Sequence, residues 1–290
     1  MAGKKPVWRH PRAGRGGQFM NTQLQRCIAF KALHTNKAGW IIPNPWDVGS
    51  AKVLEGLGFK ALATTSGGYA FTLGKADGAV TLKEMLQHCA ALVAGTQLPI
   101  NADFENGYAE DINEMVANIT RLAATGVSGI SIEDFSREQR SIYSLSESVE
   151  RVQAAVEAIA ATGIPILLTA RTESLLRGFD DLDDIIERLQ VYAAVGADVL
   201  YAPAIRSLDA LKTVTSELDC PFNVLAPFIR GATVQQLAAA GGTRISVGGT
   251  LTYASVAPLL QAGKEMLEHG SFDWVAKVAN SVEVKSLLKL

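Results

Sequence analysis

The clearest fold signal in the chain is the stretch PINADFE, residues 99–105, together with GISIED at residues 129–134. Each stretch is an apolar run typical of a buried β-strand, and each ends in carboxylates: Asp103 and Glu105 in the first, Glu133 and Asp134 in the second. Because the ends of neighbouring parallel strands converge, we expect these carboxylates to lie close together. Such a cluster in a partly dry cleft indicates a hard divalent cation with oxygen ligands, Mg²⁺ above all. The pattern predicts a metal-dependent enzyme.

Eight apolar runs alternate with helical patterns from Trp40 onward, as in a parallel sheet built from βα units. The runs are 40–43, 61–65, 99–103, 129–133, 165–171, 198–203, 222–226 and 244–247, and the helical patterns include 84–94, 112–124, 148–160, 182–194 and 208–218. Gly126, Gly163, Gly196 and Gly241 follow four of the helices as stop signals. Eight units in about 250 residues fit a (β/α)₈ TIM barrel. A doubly wound open sheet is the competitor, but no GxGxxG follows the first strand.

The bulk composition permits one large domain, since 290 residues with 48% hydrophobic content bury a sizeable core. We assign residues 21–290 to the barrel and its C-terminal helices. Residues 1–20 carry Lys and Arg among Gly and Pro with almost nothing to bury, which predicts a disordered basic arm. Its functional interpretation is an anion-binding tail, and the simpler one is a solvated extension.

The charge and cysteine content narrow the range of partners. A net charge of −2 with 19% charged residues gives no reason to expect nucleic acid or an acidic membrane surface, so a small molecule is the default partner. Cys27, Cys89 and Cys220 are unclustered, which indicates a reducing interior and hence a cytoplasmic protein. No apolar run approaches the roughly 20 residues that span a bilayer.

If the barrel is right, catalytic groups belong at the carboxyl ends of its strands. Polar residues do fall there, and they are Thr64 to Gly68, Asn101 to Glu105, Glu133 and Asp134, Thr169 to Glu173, and Asn223. Each has a structural alternative: Asp134 or Thr172 alone would be taken as a helix cap, and Ser66-Gly67-Gly68 as a tight turn. Otherwise the backbone N–H groups of Ser66 to Gly68 suit a carboxylate or an oxyanion.

Two further features at the strand ends leave alternatives open. Arg171 presents a planar fork for a carboxylate or phosphonate, or else forms an ion pair with Glu133 or Glu173. Gly248-Gly249 after the last strand fits either a phosphate cradle or a simple glycine turn.

Some catalytic classes are disfavoured by what the strand ends lack. None of the four histidines follows a strand, which argues against a histidine-ligated zinc and a Ser-His-Asp site. No lysine ends a strand either, which argues against a Schiff-base aldolase.

Three segments together resemble the isocitrate lyase and phosphoenolpyruvate mutase superfamily. They are PINADFENGY at residues 99–108, GISIED at 129–134 and TARTE at 169–173, in this order along a barrel. The resemblance extends from Trp40 to the C-terminus. It implies a Mg²⁺-dependent enzyme, with Mn²⁺ as a substitute, that makes or breaks a C–C or P–C bond beside the carboxylate of a 2-oxo acid.

The resemblance also implies roles for single residues. Asp103 matches the principal metal-site aspartate, with Glu105 and Glu133 supporting it largely through bound water. The strand-two segment that holds the oxo acid is matched by Thr65, Ser66 and Gly67, and we add Gly68. Asp77 matches an acidic residue of the following loop and Arg171 the substrate-binding arginine; with Glu133, we take these two as the catalytic candidates. Asn223 is a looser match for a substrate-binding residue.

The chain also departs from this pattern. Isocitrate and methylisocitrate lyases carry a Lys-Lys-Cys-Gly-His run in the loop after strand four, where this chain has FSREQRSIY, residues 135–143. The mutase's loop lysine and strand-six histidine are missing too, with Ala202-Pro203 in the latter region. The expected function is therefore C–C cleavage of an oxaloacetate-like acid. The alternatives are P–C chemistry, as in a phosphonomutase or phosphonopyruvate hydrolase, and a non-catalytic barrel that binds an oxo acid. Arg137 or Arg140 is a candidate to close over the leaving carboxylate.

The segment beyond strand eight is longer and more apolar than one closing helix requires. Residues 250–290 supply more apolar surface than such a helix hides against its own barrel, which indicates an interface. The superfamily resemblance points to dimers that exchange the eighth helix and pair into homotetramers. The alternative is a C-terminal helix folded back over its own barrel.

Overall fold

The computed structural model describes residues 22–35 and 38–289, so the predicted basic arm at 1–20 lies outside the described residues. Its strands are β1 Trp40–Ile42, β2 Leu62–Ala63, β3 Ile100–Asp103, β4 Gly129–Glu133, β5 Phe135–Ser136, β6 Ser141–Ile142, β7 Leu167–Arg171, β8 Val199–Tyr201, β9 Phe222–Leu225 and β10 Gly242–Ser246. Its α-helices are α1 Gln23–Leu33, α2 Val48–Leu57, α3 Ser66–Thr72, α4 Leu82–Gly95, α5 Ile112–Ala123, α6 Leu145–Ala161, α7 Leu182–Ala194, α8 Leu208–Ser216, α9 Val234–Ala239, α10 Thr250–His269 and α11 Ser281–Leu288. Short 3₁₀ turns occupy Ser174–Arg177, Ala226–Phe228 and Asp273–Lys277.

Eight of these strands form one parallel sheet in the order β2-β3-β4-β7-β8-β9-β10-β1. The two end strands approach each other, because the Ala63 N–H donates to the Pro43 carbonyl at 3.1 Å. The sheet is thus a nearly closed barrel with helices around it, and the predicted (β/α)₈ fold is confirmed. The four predicted glycine stops have backbone φ angles between 68° and 107°, the left-handed conformation that ends a helix.

Local hydrogen bonds explain where the observed boundaries differ from the predicted ones. The second strand was expected over 61–65 but ends at Ala63, because the Thr65 side chain accepts a hydrogen bond from the Gly68 N–H and begins α3. Helix α6 begins before the predicted 148, since Ser144 and Glu147 form a capping box. The loop after β4 contains a small antiparallel hairpin, β5–β6, that the periodicity did not indicate.

Helix α1 closes the amino-terminal end of the barrel. Phe30 is fully buried in a small apolar cluster with Ile42, Ala61, Ala63 and Leu167, which come from the first strands and from β7. The opposite end of the barrel is left open, and the polar strand ends surround it.

The C-terminal segment packs only in part against the barrel. Helix α11 lies against α2, where a Cβ on Gly56 would come within 2.8 Å of the Leu287 carbonyl. Helix α10 buries only Thr252 and Ala262, and large apolar side chains along it and beyond it are exposed. They include Leu259, Leu260, Leu267, Phe272 and Val282. None of the described helices combines the length and the apolarity that crossing a bilayer requires.

A buried histidine in α4 makes stability depend on pH. His88 stacks on the Tyr69 ring at 3.8 Å, and burial lowers the pKa of His88 to about 4. The unfolded chain binds this proton near pH 6.5, so the stabilisation present above that pH is lost as the pH falls towards 4. We expect this group to cost about 2 kcal/mol of unfolding free energy between pH 7 and 5.

The His88→Gln variant isolates that contribution. Burial raises the pKa of Glu105 to about 7, so the titration of Glu105 stabilises the fold as the pH falls, opposite to the effect of His88. The quantity that reports on His88 is therefore the difference in pH dependence between wild type and variant. Urea denaturation of both proteins at pH 7 and pH 5 measures it. Equal pH dependence in the two proteins would contradict the assignment.

Candidate active site

A cavity of about 280 Å³ opens at the carboxyl ends of the barrel strands. Most of its lining residues are polar, and they come from nearly every strand end and from the loops that follow. The polar lining residues are Asn44, Thr64, Thr65, Ser66, Asp77, Asn101, Asp103, Ser131, Arg171, Tyr201, Asn223, Arg244, Ser246 and Tyr253, with Gly67, Gly248 and Gly249. Of the predicted site residues, the structure brings together Thr65, Ser66, Gly67, Asp77, Asp103, Arg171 and Asn223. Gly68, Glu105 and Glu133 lie outside the lining.

Asp103 points into this cavity from the end of β3. Its backbone N–H donates to the Thr64 hydroxyl at 2.8 Å, and its Oδ2 accepts the Ser66 N–H at 3.2 Å. Its Oδ1 lies 3.5 Å from Nη1 of Arg171. Two strand ends and one charge partner therefore hold a single carboxylate at the cavity wall.

The Ser66-Gly67-Gly68 segment offers fewer amides to a ligand than its sequence indicates. The Ser66 N–H is taken by Asp103, and the Gly68 N–H donates to the Thr65 hydroxyl at 3.3 Å. A Cβ on Gly68 would lie 2.5 Å from Thr65 Cγ2, so this glycine is needed for packing. The Gly67 N–H donates to no residue in the described ranges, and a Cβ there would lie 3.4 Å from the Asp77 carboxylate. Gly67 is the amide of the three that remains available.

Arg171 lies at the cavity wall and also among three carboxylates. The two alternatives for this residue, an ion pair and a position at the site, therefore both hold. Its Nε lies 2.5 Å from Glu173 Oε1, and its Nη1 lies 3.7 Å from Glu133 Oε2. Burial disfavours the charged guanidinium, but Glu173 and Glu133 outweigh it and raise the pKa of Arg171 well above its usual value. Burial, reinforced by the neighbouring Glu173, also raises the pKa of Glu133 well above its usual value.

Glu105 lies behind Asp103 in a tightly held loop. It has φ 53° and Tyr108 has φ 56°, left-handed values that are costly outside glycine. The loop is fixed by the buried Arg151, which donates to the carbonyls of Asn106 and Ala109 at 2.5 Å and of Glu110 at 2.7 Å. The structure thus stabilises an unfavourable backbone in order to hold a buried carboxylate next to the cavity wall.

Asp134 is neither a helix cap nor a cavity residue. Its carboxylate accepts hydrogen bonds from the Glu173 N–H at 2.8 Å and the Tyr192 hydroxyl at 2.9 Å, with Arg188 3.4 Å away. The capping interpretation is therefore replaced by another role. Asp134 anchors the chain directly after β7 and so helps to place Arg171.

Comparison with known proteins assigns the chain to a family. Residues 30–267 match the family model for phosphoenolpyruvate phosphomutase. The chain belongs to this family. A putative lyase/mutase from Burkholderia cenocepacia J2315 superposes with a TM-score of 0.88 at 42% identity, covering 92% of this chain and 98% of that one.

Two curated relatives of this phosphomutase-family chain are named for different reactions. The oxaloacetate decarboxylase of Pseudomonas entomophila (strain L48) is 28% identical over 78% of this chain and 79% of its own length. The 2-methylisocitrate lyase of Halalkalibacterium halodurans is 27% identical over 69% of this chain and 67% of its own length. The predicted superfamily is therefore confirmed, and the chain is an enzyme of its lyase and mutase type.

The donor atoms in this family member suit a hard cation. All candidate ligands are carboxylate oxygens, and neither oxygen of the buried Glu105 accepts a well-aligned hydrogen bond from any described residue. Oε2 of Glu105 pairs instead with Arg137 of the β5–β6 hairpin. Within residues 22–35 and 38–289, no three His, Cys, Asp or Glu side chains converge closely enough to hold a metal together. A cation at Asp103 would therefore take most of its ligands from water and substrate, as Mg²⁺ commonly does.

The sequence-based prediction omitted several lining residues, among them Asn44, which directly follows the first predicted strand, and Arg244, which begins the last. Asn44 connects the chain after β2 to the chain after β10. Its Nδ2 donates to the Thr64 carbonyl at 3.0 Å, and its Oδ1 accepts hydrogen bonds from the Val247 and Gly248 N–H groups at 3.0 and 2.9 Å. This favours a structural turn at Gly248-Gly249 over a phosphate cradle. Arg244 is the first residue of the predicted run 244–247 but lies in the middle of the observed strand β10, Gly242–Ser246. A charged residue at a buried strand position is itself a signal.

Proposed function

We propose that this enzyme is a divalent-metal-dependent lyase that cleaves the C–C bond beside the carboxylate of a short, oxaloacetate-like 2-oxo acid. The proposal is carried by the single cavity that Asp103, Arg171 and the available Gly67 N–H share. Asp103 would hold the cation, Mg²⁺ or Mn²⁺, and the other two bind carboxylate or carbonyl oxygens. The oxaloacetate decarboxylase among the relatives supports the same substrate class.

The charge of each residue at the proposed site determines the role that we assign to it. When bound, the cation supplies Lewis-acid stabilisation of the negative charge that develops on the oxo oxygen. Arg171 binds the substrate carboxylate, and Gly67 donates to the same charge. Asp77, exposed at the rim over Gly67, is the carboxylate placed to exchange a proton with the cleaved carbon. Glu133 acts through Arg171, because it lies behind the wall.

The loop after β4 supports a substrate other than isocitrate. Residues 135–143 contain neither lysine nor cysteine, and the β5–β6 hairpin places Arg137 against Glu105. A loop without a cysteine to act as an acid or a base suits a reaction in which the electron pair of the broken C–C bond only has to be stabilised as an enolate. We therefore propose that isocitrate and 2-methylisocitrate are poor substrates and that a C4 oxo dicarboxylate is a good one.

The family match favours one second candidate. The model that matches residues 30–267 is that of a phosphomutase, and a phosphonate presents the same oxygens to Arg171 as a carboxylate does. Under this alternative, phosphonopyruvate replaces the oxo dicarboxylate in the same cavity.

One screen tests both candidates. The purified protein with Mg²⁺ is offered oxaloacetate, phosphonopyruvate, isocitrate and 2-methylisocitrate, and pyruvate, phosphate, glyoxylate and phosphoenolpyruvate are measured. We expect pyruvate from oxaloacetate above the spontaneous rate, and loss of that activity on exhaustive chelation. Efficient glyoxylate release from isocitrate would contradict the interpretation of the loop, and unchanged turnover after chelation would contradict the metal.

We further propose a homotetramer built through the C-terminal segment. The exposed apolar side chains of α10 and residues 272–282 support an interface, although α11 itself folds back on α2. Truncation after Gly270 should lower the free energy of unfolding and increase binding of a hydrophobic dye. A monodisperse monomer of the full chain in light scattering at micromolar concentration would reject the assembly.

A further inference from the structure

Arg244 is a buried cation on the floor of the cavity. Only 3% of the residue is exposed, and it lines the same space as Asp103 and Arg171. No carboxylate in the described ranges lies within ion-pair distance of its guanidinium. Burial lowers the pKa of Arg244 to about 10, which leaves the side chain charged at neutral pH.

The partners of Arg244 are all neutral side chains. Nε donates to Asn223 Oδ1 at 2.7 Å and Nη2 donates to the Thr169 hydroxyl at 3.0 Å. Nη1 lies 3.5 Å from Nε2 of His34, whose Nδ1 is 2.9 Å from the Phe30 carbonyl. Burial and the charge of Arg244 lower the pKa of His34 to about 3, so the imidazole is neutral. These three bonds use three of the five N–H groups of the guanidinium.

Other buried arginines are satisfied differently. Arg26 and Arg151 donate to backbone carbonyls outside the cavity, and Arg188 pairs with Asp134 and Asp184. Within the cavity, Arg171 is already surrounded by carboxylates. Arg244 is therefore the cavity cation whose charge the described residues leave uncompensated, and an uncompensated buried charge is costly.

We propose that Arg244 binds a second anionic group of the substrate, so that the cavity selects dianionic over monoanionic 2-oxo acids. The inference rests on the proposed function and adds the position of the distal group. The remaining N–H groups of Arg244 would donate to a carboxylate or a phosphonate, with the free hydrogen of Asn223 Nδ2 beside them. Asn223 is held for this by Arg244 and by the Ser246 hydroxyl at 2.9 Å. A cavity of about 280 Å³ suits a ligand of this small size.

The test compares affinities for three matched ligands in the presence of Mg²⁺. They are pyruvate, with one charge, and 3,3-difluorooxaloacetate and 3-phosphonopyruvate, which add a carboxylate or a phosphonate at C3. Calorimetry measures binding to the wild type, to Arg244→Met and to the control Arg121→Met, whose arginine is exposed on α5. We expect Arg244→Met to weaken the two dianions about 30-fold or more and to leave pyruvate within about threefold. Arg121→Met should change none of them.

A second variant keeps the test informative if Arg244→Met fails to fold. Thr169→Asp places a carboxylate beside Nη2 of Arg244 and supplies a counter-ion from within the protein. It should weaken dianion binding in the same selective way. Which dianion loses more distinguishes the carboxylate from the phosphonate.

The possible outcomes separate the two proposals. If pyruvate and both dianions fail to bind the wild type, the proposed function itself is wrong. If they bind but a second charge adds no affinity, or if both variants weaken all three ligands equally, the subsite is overturned while the oxo-acid function stands.

Discussion

Replacing Asp103 by alanine should abolish turnover while the barrel remains folded. Of the three predicted metal carboxylates, only Asp103 faces the cavity, so under the proposed function its loss would remove the direct contact to the cation. We expect activity to fall on the order of a thousandfold or more, because Lewis-acid stabilisation of several kcal/mol is lost. The free energy of unfolding should change by less than about 1.5 kcal/mol, since among the described residues the substitution removes one hydrogen bond from Ser66 and one contact with Arg171.

Two variants serve as controls for this result. Asp103→Asn keeps the shape and the Ser66 hydrogen bond but removes the charge, and should be nearly as inactive as the alanine variant. Asp219→Ala changes an exposed carboxylate away from the cavity and should be fully active. Substantial Mg²⁺-dependent activity in Asp103→Ala would show that another group holds the cation.

Replacing Arg171 by methionine should cost both activity and stability. Arg171 compensates Glu173, which is fully buried, and Glu133. Its removal leaves these carboxyl groups without that charge, for which we expect a loss of about 3–5 kcal/mol of unfolding free energy. Activity should fall at least about a hundredfold, because the positive charge at the cavity wall disappears. Urea denaturation and steady-state kinetics measure the two effects.

A compensating substitution separates those effects. Adding Glu173→Gln to Arg171→Met removes the charge that Arg171 balances, so the double variant should regain part of the lost stability without regaining activity. Recovery of both quantities together would mean that Arg171 acts only by supporting the fold.

The fold and much of the cavity wall could be predicted because both follow from local pattern. The apolar run before Asp103 and the glycine after each helix are signals within a few residues of sequence. The strand-end pattern also predicts that Glu105 and Glu133 lie beside Asp103, but a sequence pattern does not show which carboxylate faces the cavity. That depends on the left-handed turn at Glu105 and on the ion pairs of Arg171, which only the packed structure shows.

Contacts between residues far apart in the chain account for what was missed. Asn44 bonds residues 247 and 248, and Arg244 reaches His34 across 210 positions. Neither of these long-range contacts produces a periodic pattern in the sequence. Gly68 shows the opposite error, since its place in an amide-rich motif suggested ligand binding, while its packing against Thr65 and Thr252 requires the absence of a side chain.

Helix α1 bears on how this barrel would be redesigned. The fold is usually treated as modular, with a lower face that can be rebuilt for stability and an upper face whose loops are exchanged for new activity. Here the chain from Phe30 through His34, Arg244 and Asn223 joins the two faces. Grafting only the upper loops onto another scaffold would omit Arg244, which forms the cavity floor. Redesigning helix α1 at the lower face would in turn disturb the guanidinium of Arg244 at the upper site.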